Sequence, residues 1–406
     1  MSLISKGIGL AKKAKHALKD EIKAMTPVYI SPVRRINGVK LKDRILAMTF
    51  DDGPMNYPCN PDNHGGKSLT LCLLEALEAH GAKGTFDCIG DTSENYPDKV
   101  GEIGTAMWGG IAYDHYPDMN LDRFGGIKNC PQLVKRILDG GHEITSHSYV
   151  HRIWGAKPFV YGRRAYMGNF EDVVNDLVRF DDMMKKDYGY EVKLSRPPHY
   201  VDKITGAFTS YDAYAVMGWQ YLGAGPDGGG WLPLSDYDTE VDAMVKAIEN
   251  PLKANSDAFC GSIIFQKDGC NMMKRTPVAD ALSKQLDILC EYGYKVISVS
   301  ELMSMSQFED LGPSDEGFDA AMTMLNKNMC PAFNDNCIHL EKAVSREELA
   351  VMLYGWEAAR LRAKEKASGG SVYKYAMRIA AEKGTDLEAI LRGKNRLQLI
   401  EFLAAM

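Results

Sequence analysis

The stretch at residues 44–54 reads Arg44-Ile45-Leu46-Ala47-Met48-Thr49-Phe50-Asp51-Asp52-Gly53-Pro54. In it, an apolar, strand-like run ends in two adjacent carboxylates and a Gly-Pro turn. Two carboxylates at the end of a buried strand are costly to desolvate unless a cation lies beside them. The alternative is an ordinary Asp-Asp-Gly-Pro turn that only ends the strand. The stretch therefore predicts either a simple turn or a cation site. The two differ in whether other segments of the chain bring a positive group or metal ligands to these carboxylates.

The composition is that of a soluble globular protein large enough for two domains. The chain has 406 residues, of which 45% are hydrophobic and 25% charged, and its net charge is -6. This balance gives no reason to expect nucleic acid as a partner. Basic residues are concentrated in residues 1–44, with eleven Lys or Arg against three Asp or Glu. Residues 2–25 have the pattern of a basic amphipathic helix, for which packing on the protein is favoured over contact with an anionic membrane surface.

The cysteines and the N-terminus indicate a reducing compartment. The nine cysteines form no Cys-x-x-Cys pair, which argues against a disulfide framework or a structural zinc site. The first 25 residues contain no uninterrupted apolar segment of the kind found in secretory signals. We expect a cytoplasmic protein, with the cell envelope as the alternative.

Strand and helix patterns alternate from Arg44 to about Leu302. Apolar strand patterns lie at 45–50, 84–90, 142–147, 192–196, 219–224, 261–266 and 294–299. Helical patterns lie between them at 67–80, 131–139, 170–187, 205–217, 238–250 and 277–292. This alternation predicts a parallel sheet, either open and doubly wound or closed as a barrel, with functional residues at the carboxyl ends of the strands. Two long, aromatic-rich loops, 91–130 and 152–169, are predicted to act as lids or walls of a cleft.

Two further motifs end predicted strands of the same sheet. His147-Ser148-Tyr149-Val150-His151 places two imidazoles four residues apart, which on one face of a helical turn suits a divalent metal. Arg196-Pro197-Pro198 supplies an arginine that can pair with whichever carboxylate does not bind the metal. Because parallel strands end at one edge, a single ion could reach both Asp52 and His147.

These three motifs resemble those of the polysaccharide deacetylases, also known as NodB-homology proteins or family-four carbohydrate esterases. The resemblance covers roughly residues 40–305. It implies a deformed (β/α) barrel that binds one divalent cation, with zinc favoured and cobalt, nickel or manganese as alternatives. With the flanking regions, it predicts a basic segment at 1–40, the barrel at 41–305 and an all-α region at 306–406.

The resemblance also implies a role for each motif residue. The metal ligands would be Asp52, His147 and His151. Asp51 would be the general base for the attacking water, Arg196 would orient Asp51, and the backbone N–H of His199 would stabilise the oxyanion. Tyr200, Asp227, Trp231 and Gln266 are the further candidates for substrate contact.

The sequence departs from the family pattern where the leaving amine should be protonated. In this resemblance, Gly230 stands where the family has a supporting Asp, and Gln266 stands where the family has its acid histidine. A glutamine amide cannot deliver a proton at useful pH. Three interpretations stay open: Asp51 serves as both base and acid, His199 supplies the proton, or turnover is slow or absent.

The region after Leu302 is wholly helical in pattern. Residues 307–356 are similar to one S-layer-homology repeat, with Ser345-Arg346-Glu347-Glu348 as its signature, which would imply attachment to cell-wall polymer. The same residues also form a capping box at the start of an amphipathic helix. A helical appendage that packs on the barrel or forms a dimer contact is favoured, and the oligomeric state is left open.

Three functions follow from the motifs. The first is metal-dependent removal of an acetyl group from an N-acetylated sugar or a related amide. The second is a non-catalytic or weakly active protein that binds carbohydrate or attaches to the wall through a deacetylase barrel. The third is deacylation of a small amide, which a closed lid at residues 91–130 would favour over a polymer.

Overall fold

The computed structural model describes residues 31–56, 58–59, 64–92, 106–108, 111–113, 124–155, 167–271, 273, 275–365 and 371–406. The strands are β1 (Arg35–Ile36), β2 (Ile45–Asp51), β3 (Thr85–Cys88), β4 (Ala106–Trp108), β5 (Ile111–Tyr113), β6 (Glu143–Ser146), β7 (Leu194–Ser195), β8 (Gln220–Leu222), β9 (Ile263–Lys267) and β10 (Lys295–Ile297). The helices of the first three hundred residues are α1 (Leu69–Ala79), α2 (Pro131–Asp139), α3 (Phe170–Tyr188), α4 (Ser210–Met217), α5 (Tyr237–Ala254), α6 (Val278–Glu291) and α7 (Val299–Met305), with a 3₁₀ turn at Pro198–Tyr200. The remaining helices are α8 (Phe318–Asn326), α9 (Arg346–Lys364), α10 (Val372–Glu382), α11 (Leu387–Leu391) and α12 (Arg396–Ala405).

Eight strands form one parallel sheet in the order β1-β8-β7-β6-β3-β2-β10, and β9 also pairs with β2. Strand β2 lies at the centre of this arrangement because it pairs with β3, β9 and β10. Its residues from Leu46 to Asp51 are all buried, as expected for a strand covered on both faces of a parallel sheet.

The sheet curls until its two ends approach each other. The chain after β8 meets β9 through single bridges and hydrogen bonds: Asp227 pairs with Phe265, and Gly225 N donates to Ile263 O at 2.9 Å. Gly38, just after β1, pairs with Ser262. The architecture is thus a distorted, incompletely paired parallel (β/α) barrel followed by helices, and the predicted fold class is confirmed.

The predicted strands and helices from residue 45 to residue 299 are present, with ends shifted by a few residues. The prediction missed β1, because a strand of two residues is too short to show a period. Since β1 pairs with β8, residues 35–36 belong to the sheet, although the predicted boundary placed them in the N-terminal segment. It also missed the antiparallel pair β4–β5, which lies within the predicted lid at 91–130.

The C-terminal helices pack on the barrel. Arg362 on α9 forms an ion pair with Asp212 on α4 at 3.0 Å and donates to the carbonyl of Ala207 at 2.6 Å. Near the start of the sheet, Arg34 donates to the Gln307 carbonyl and the Asn336 side chain at 2.8 and 2.7 Å. The capping box at Ser345 is present, with Ser345 Oγ accepting from Glu348 N. These contacts agree with a helical appendage that packs on the barrel.

Some predictions fall outside the described residues. These are the amphipathic helix at 2–25, most of the insertion at 91–130 and residues 156–166 of the second loop. Within the part of the chain that is described, no helix is both long and apolar enough to cross a membrane.

Candidate metal centre and active site

The two aspartates of the opening stretch lie at the carboxyl end of β2. Asp51 is the last residue of the strand, and Asp52 follows with a left-handed backbone (φ 78°). Both residues are buried, with 4% and 7% of their surface exposed. In the parallel sheet, Asp51 is level with Asp87 at the end of β3 and with Lys267 at the end of β9. Strand register therefore brings four charged side chains to one edge of the sheet.

His147 and His151 lie in the loop that follows β6. The prediction of a helical turn is wrong, because residues 147–151 are not helical and both Ser148 and His151 have a left-handed backbone (φ 69° and 52°). The loop is held by Asp176 on α3, whose carboxylate accepts from the backbone N–H groups of Tyr149 and Val150 at 2.8 and 3.2 Å. A tight turn therefore brings the two imidazoles together.

The predicted ligand atoms converge on one point. Nε2 of His147 lies 3.4 Å from Asp52 Oδ1, and Nε2 of His151 lies 3.2 Å from the same oxygen. Both imidazoles are buried. Two imidazole nitrogens and one carboxylate oxygen form a donor set that suits a divalent transition metal and leaves positions for water and substrate.

Asp87 orients His147 from the side away from this point. His147 Nδ1 lies 2.8 Å from Asp87 Oδ2 and 3.0 Å from the carbonyl oxygen of Arg196, and the other oxygen of Asp87 accepts a hydrogen bond from Thr145 Oγ1 at 2.6 Å. A carboxylate behind a histidine fixes the tautomer that offers Nε2 to a metal. The residues present thus fit a divalent ion. Asp87 was not among the predicted site residues, although its place at the end of an apolar run is a signal in the sequence.

The electrostatics of the centre favour positive charge. Burial lowers the pKa of His147, but the carboxylates of Asp87, Asp52 and Asp51 outweigh burial and raise it to about 10. Burial acts against the ionised form of Asp52, but Lys267 and the two histidines hold its pKa well below the ordinary value. An ion bound here would take over the role of these positive groups.

Arg196 is fully buried and holds Asp51. Its Nη1 forms an ion pair with Asp51 Oδ1, and its Nη2 donates to Gly223 O at 2.6 Å, while both nitrogens lie 3.1–3.2 Å from Thr49 Oγ1. Burial raises the pKa of Asp51 above that of an ordinary carboxyl, and Arg196 opposes the shift. A carboxyl whose pKa is raised towards neutrality suits a general base, and the predicted pairing of Arg196 with Asp51 is present.

Lys267, rather than Gln266, faces the centre from β9. Lys267 Nζ forms an ion pair with Asp52 Oδ2. Gln266 is fully buried and donates to the side chain of Gln285 on α6 at 2.6 Å. Side chains alternate along a strand, and Lys267 is the residue level with Asp51. The placement of Gln266 at the leaving-group position, and as a substrate contact, is therefore wrong by one residue.

His199 and Tyr200 lie beside the metal ligands. The His199 ring is 5.1 Å from the His151 ring, and the Tyr200 ring lies 5.3 Å from Arg196 Cζ. Both residues have a left-handed backbone (φ 56° and 55°). Desolvation lowers the pKa of His199 well below its ordinary value. A neutral imidazole has no proton to give at neutral pH, which counts against His199 as the acid.

Asp227 and Trp231 contact each other on the loop after β8. Trp231 Nε1 donates to Asp227 Oδ2 at 2.9 Å, and Gly229 N donates to Asp227 Oδ1 at 2.8 Å. The position of Gly230 has a left-handed backbone (φ 85°), and a Cβ there would meet the Met244 sulfur at 2.8 Å. The positive φ therefore disfavours any side chain at Gly230, and a larger residue would also have to displace the end of Met244.

Comparison with known proteins agrees with this geometry. Residues 38–203 match the family model described as polysaccharide deacetylase. The chain contains a polysaccharide deacetylase domain. The match ends at residue 203, and the similarity of the C-terminal region to S-layer-homology repeats stays a prediction.

Several relatives of the deacetylase domain are known. The chain is 24% identical over 262 residues to a peptidoglycan-N-acetylglucosamine deacetylase of Bacillus cereus, covering 64% of this chain and 89% of the relative. It is 21% identical to a probable peptidoglycan-N-acetylglucosamine deacetylase of Arthroderma benhamiae, covering 68% and 48%. Among solved structures, the peptidoglycan deacetylase PdaC of Bacillus subtilis is 20% identical with a TM-score of 0.41, covering 66% of this chain and 93% of that one.

Proposed function

We propose that this protein is a metal-dependent hydrolase that removes the acetyl group from an N-acetylated sugar. The observation that carries the proposal is the convergence of His147 Nε2 and His151 Nε2 on Asp52 Oδ1, beside an Asp51 held by Arg196. The printed names of the relatives point to N-acetylglucosamine units of peptidoglycan as the substrate class.

Each residue of the site has a separate role in the proposed reaction. A divalent ion held by Asp52, His147 and His151 would polarise the amide carbonyl and make water more acidic. Asp51 accepts the proton of the attacking water, and Arg196 keeps the carboxylate of Asp51 oriented. The backbone N–H of His199 remains our candidate donor to the oxyanion.

Lys267 is our candidate for the group that protonates the leaving amine. Its ammonium carries protons, lies at the end of β9 and contacts Asp52 on the oxygen that the histidines do not approach. Gln266 is buried against α6 and cannot serve in this way, and the lowered pKa of His199 makes its imidazole a weaker acid candidate than Lys267. Asp51 acting as both base and acid stays the alternative.

The test is acetate release from N-acetylglucosamine oligomers and from peptidoglycan, with Zn²⁺ or Co²⁺ added. We expect turnover by the wild type and a loss of about a hundred- to ten-thousand-fold in Asp51→Asn. Asp319→Asn, on the exposed face of α8, is the matched control and should keep full activity. Equal rates for the wild type and Asp51→Asn would refute the proposal.

The ion pair between Lys267 and Asp52 favours a second candidate, a carbohydrate-binding protein that does not turn over. In that case the ammonium would neutralise Asp52 without a metal. Isothermal titration with Zn²⁺ and with chito-oligosaccharide separates the two. Sugar binding without metal binding supports the second candidate, whereas metal binding with acetate release supports the first.

A further inference from the structure

A second cluster of metal-binding side chains follows the Asp51–Asp52 turn. Cys59 lies in the loop before α1, Cys72 lies on α1, and His64 lies between them in the chain. Both sulfur atoms and one ring nitrogen of His64 lie within 4.8 Å of one another. These residues are separate from the deacetylase centre and play no part in the proposed reaction.

The two cysteines form a buried pair of thiols. Their Sγ atoms are 2.8 Å apart, beyond the length of about 2.05 Å that a disulfide bond has. The side chains are 1% and 5% exposed, and Cys59 Sγ also donates to the Lys67 carbonyl at 3.2 Å. The hydrogen bond between the thiols lowers the pKa of Cys72 and raises the pKa of Cys59. A metal binds cysteine as the thiolate, so an ion held here would displace the protons of the two thiols.

His64 is oriented from outside the cluster. Its Nε2 lies 3.1 Å from Asp280 Oδ1 on α6, and Tyr237 on α5 donates a hydrogen bond to Asp280 Oδ2. A histidine whose one nitrogen donates to an anchored carboxylate keeps its other nitrogen available as a ligand, the arrangement found behind most metal-bound histidines. The contacts from His64 through Asp280 to Tyr237 therefore fix the position of His64 beside the two thiols.

We propose that Cys59, His64 and Cys72 bind a second metal ion, of the zinc class. Two thiolates and one imidazole are ligands that select zinc over magnesium or calcium. Because His64 is partly exposed, water would complete the coordination of a bound ion. The spacing Cys-x₄-His-x₇-Cys contains no Cys-x-x-Cys pair, so the sequence pattern argued against a zinc site that the fold assembles.

The position of this cluster gives the ion a structural role. Thr70, two residues before Cys72, accepts from Met55 N at 2.7 Å, and its Oγ1 lies 2.7–2.8 Å from the two carboxylate oxygens of Asp268. Asp268 N in turn donates to Asp51 O at 2.7 Å. An ion that ties the loop at Cys59 to α1 therefore stabilises the turn on which Asp51 and Asp52 are presented.

The experiment measures metal content rather than activity. The full-length chain, purified under reducing conditions and loaded with Zn²⁺, is dialysed and its zinc measured by plasma mass spectrometry. We expect Cys72→Ser and His64→Ala to bind one zinc ion fewer per chain than the wild type. Because His64 is partly exposed, His64→Ala gives a reading even where a buried cysteine cannot be replaced without unfolding.

Two controls isolate the second site. Cys290→Ser, at an exposed cysteine, should keep the wild-type zinc content. Asp52→Ala, which disrupts the deacetylase centre, should keep the second ion and lose thermal stability when a chelator removes that ion. Acetate release plays no part, so a chain without deacetylase activity leaves the test intact.

Two results would overturn the proposal. The first is a zinc content that is the same in the wild type, Cys72→Ser and His64→Ala. The second is a Cys59–Cys72 disulfide in the reduced preparation, seen as a mass two hydrogens lower and a tryptic peptide linking the two residues.

Discussion

Asp51 and Asp52 are neighbours in the chain but meet different partners. Asp51 ends the regular strand and its carboxylate meets Arg196, whereas the left-handed backbone of Asp52 turns its carboxylate towards His147, His151 and Lys267. The same pair of residues can therefore hold an ion and keep a separate base. At the scale of single residues, the arrangement of the site depends on which carboxylate contacts which positive group: Asp51 contacts Arg196, and Asp52 contacts Lys267.

Asp87 should govern metal affinity without touching the ion. Asp87→Asn removes the negative charge behind His147 Nδ1 and weakens the fixed tautomer. We expect metal affinity to fall about ten- to a hundred-fold. Competition with a fluorescent zinc chelator measures this change, and an unchanged affinity would show that Asp87 does not support His147.

Lys267 should affect metal binding and turnover in opposite directions. Lys267→Met removes a positive charge from beside Asp52, so divalent metal should bind more tightly, by roughly ten-fold, because like charges repel. If the ammonium protonates the amine, kcat should fall about a hundred-fold or more.

Metal titration and steady-state kinetics on the same preparation test both effects of Lys267→Met. Gln266→Met, one residue earlier and facing α6, is the comparison for damage to packing. Weaker metal binding in Lys267→Met would contradict this account of the charge.

At the scale of elements, the β6–α3 connection supplies both histidines of the candidate metal centre. Strand β6 ends at Ser146, the next five residues carry both histidines, and α3 supplies Asp176 to hold the turn. The N-cap of α3 is Asn169, whose side chain accepts from Asp172 N. The conformation of the loop that carries the histidines is therefore held by Asp176, which lies more than twenty residues later in the chain.

Asp176 predicts a pH dependence of stability. Burial raises the pKa of Asp176 to about 6, although two backbone N–H groups oppose the shift. A carboxyl that holds its proton more tightly when folded stabilises the fold below about pH 4 and loses that contribution as the pH rises to about 6. Relative to Asp176→Asn, the wild type should lose on the order of 3 kcal/mol of unfolding free energy across this window.

Urea unfolding of the wild type and Asp176→Asn at pH 4, 5 and 6 measures this difference. A constant gap between the two proteins would show that Asp176 does not titrate there.

At the scale of the whole molecule, the C-terminal helices are fastened to the barrel by buried charge. The Arg362 side chain is 6% exposed where it meets Asp212, and Arg34 links residues 307 and 336 to the start of the sheet. Phe308 and Phe333 are fully buried and add apolar contact. Helices and barrel are therefore expected to unfold together.

Arg362→Met should show how much the ion pair between Arg362 and Asp212 contributes to the free energy of unfolding. Removing one partner leaves Asp212 as an uncompensated buried charge, and we expect a loss of about 3 kcal/mol in unfolding free energy. Arg378→Met, which breaks an exposed ion pair with Glu365, should change stability little. Thermal unfolding followed by circular dichroism should show one transition in each case, and two separate transitions would contradict a shared core.

Sequence reasoning succeeded where the signal is local. Apolar runs and helical periods predicted the strands and helices of the barrel, because burial imposes those periods on nearby residues. The motifs at Asp51–Asp52, His147–His151 and Arg196 named the residues of the centre, since each ends a strand and parallel strands end at one edge. The amino-acid sequence alone therefore determined the fold class, and it predicted the residues that the fold brings together around Asp52.

Only the tertiary structure decided the pairings between distant segments. Lys267 rather than Gln266 meets Asp52 because the register of β9 on β2 sets which side chain is level with Asp51, and a one-residue shift reverses every side chain. Asp87 behind His147, Asp176 beneath the histidine loop and Asp280 behind His64 are likewise contacts across the fold. Such contacts leave no period or spacing in the chain, since their geometry exists only after the strands and helices have packed.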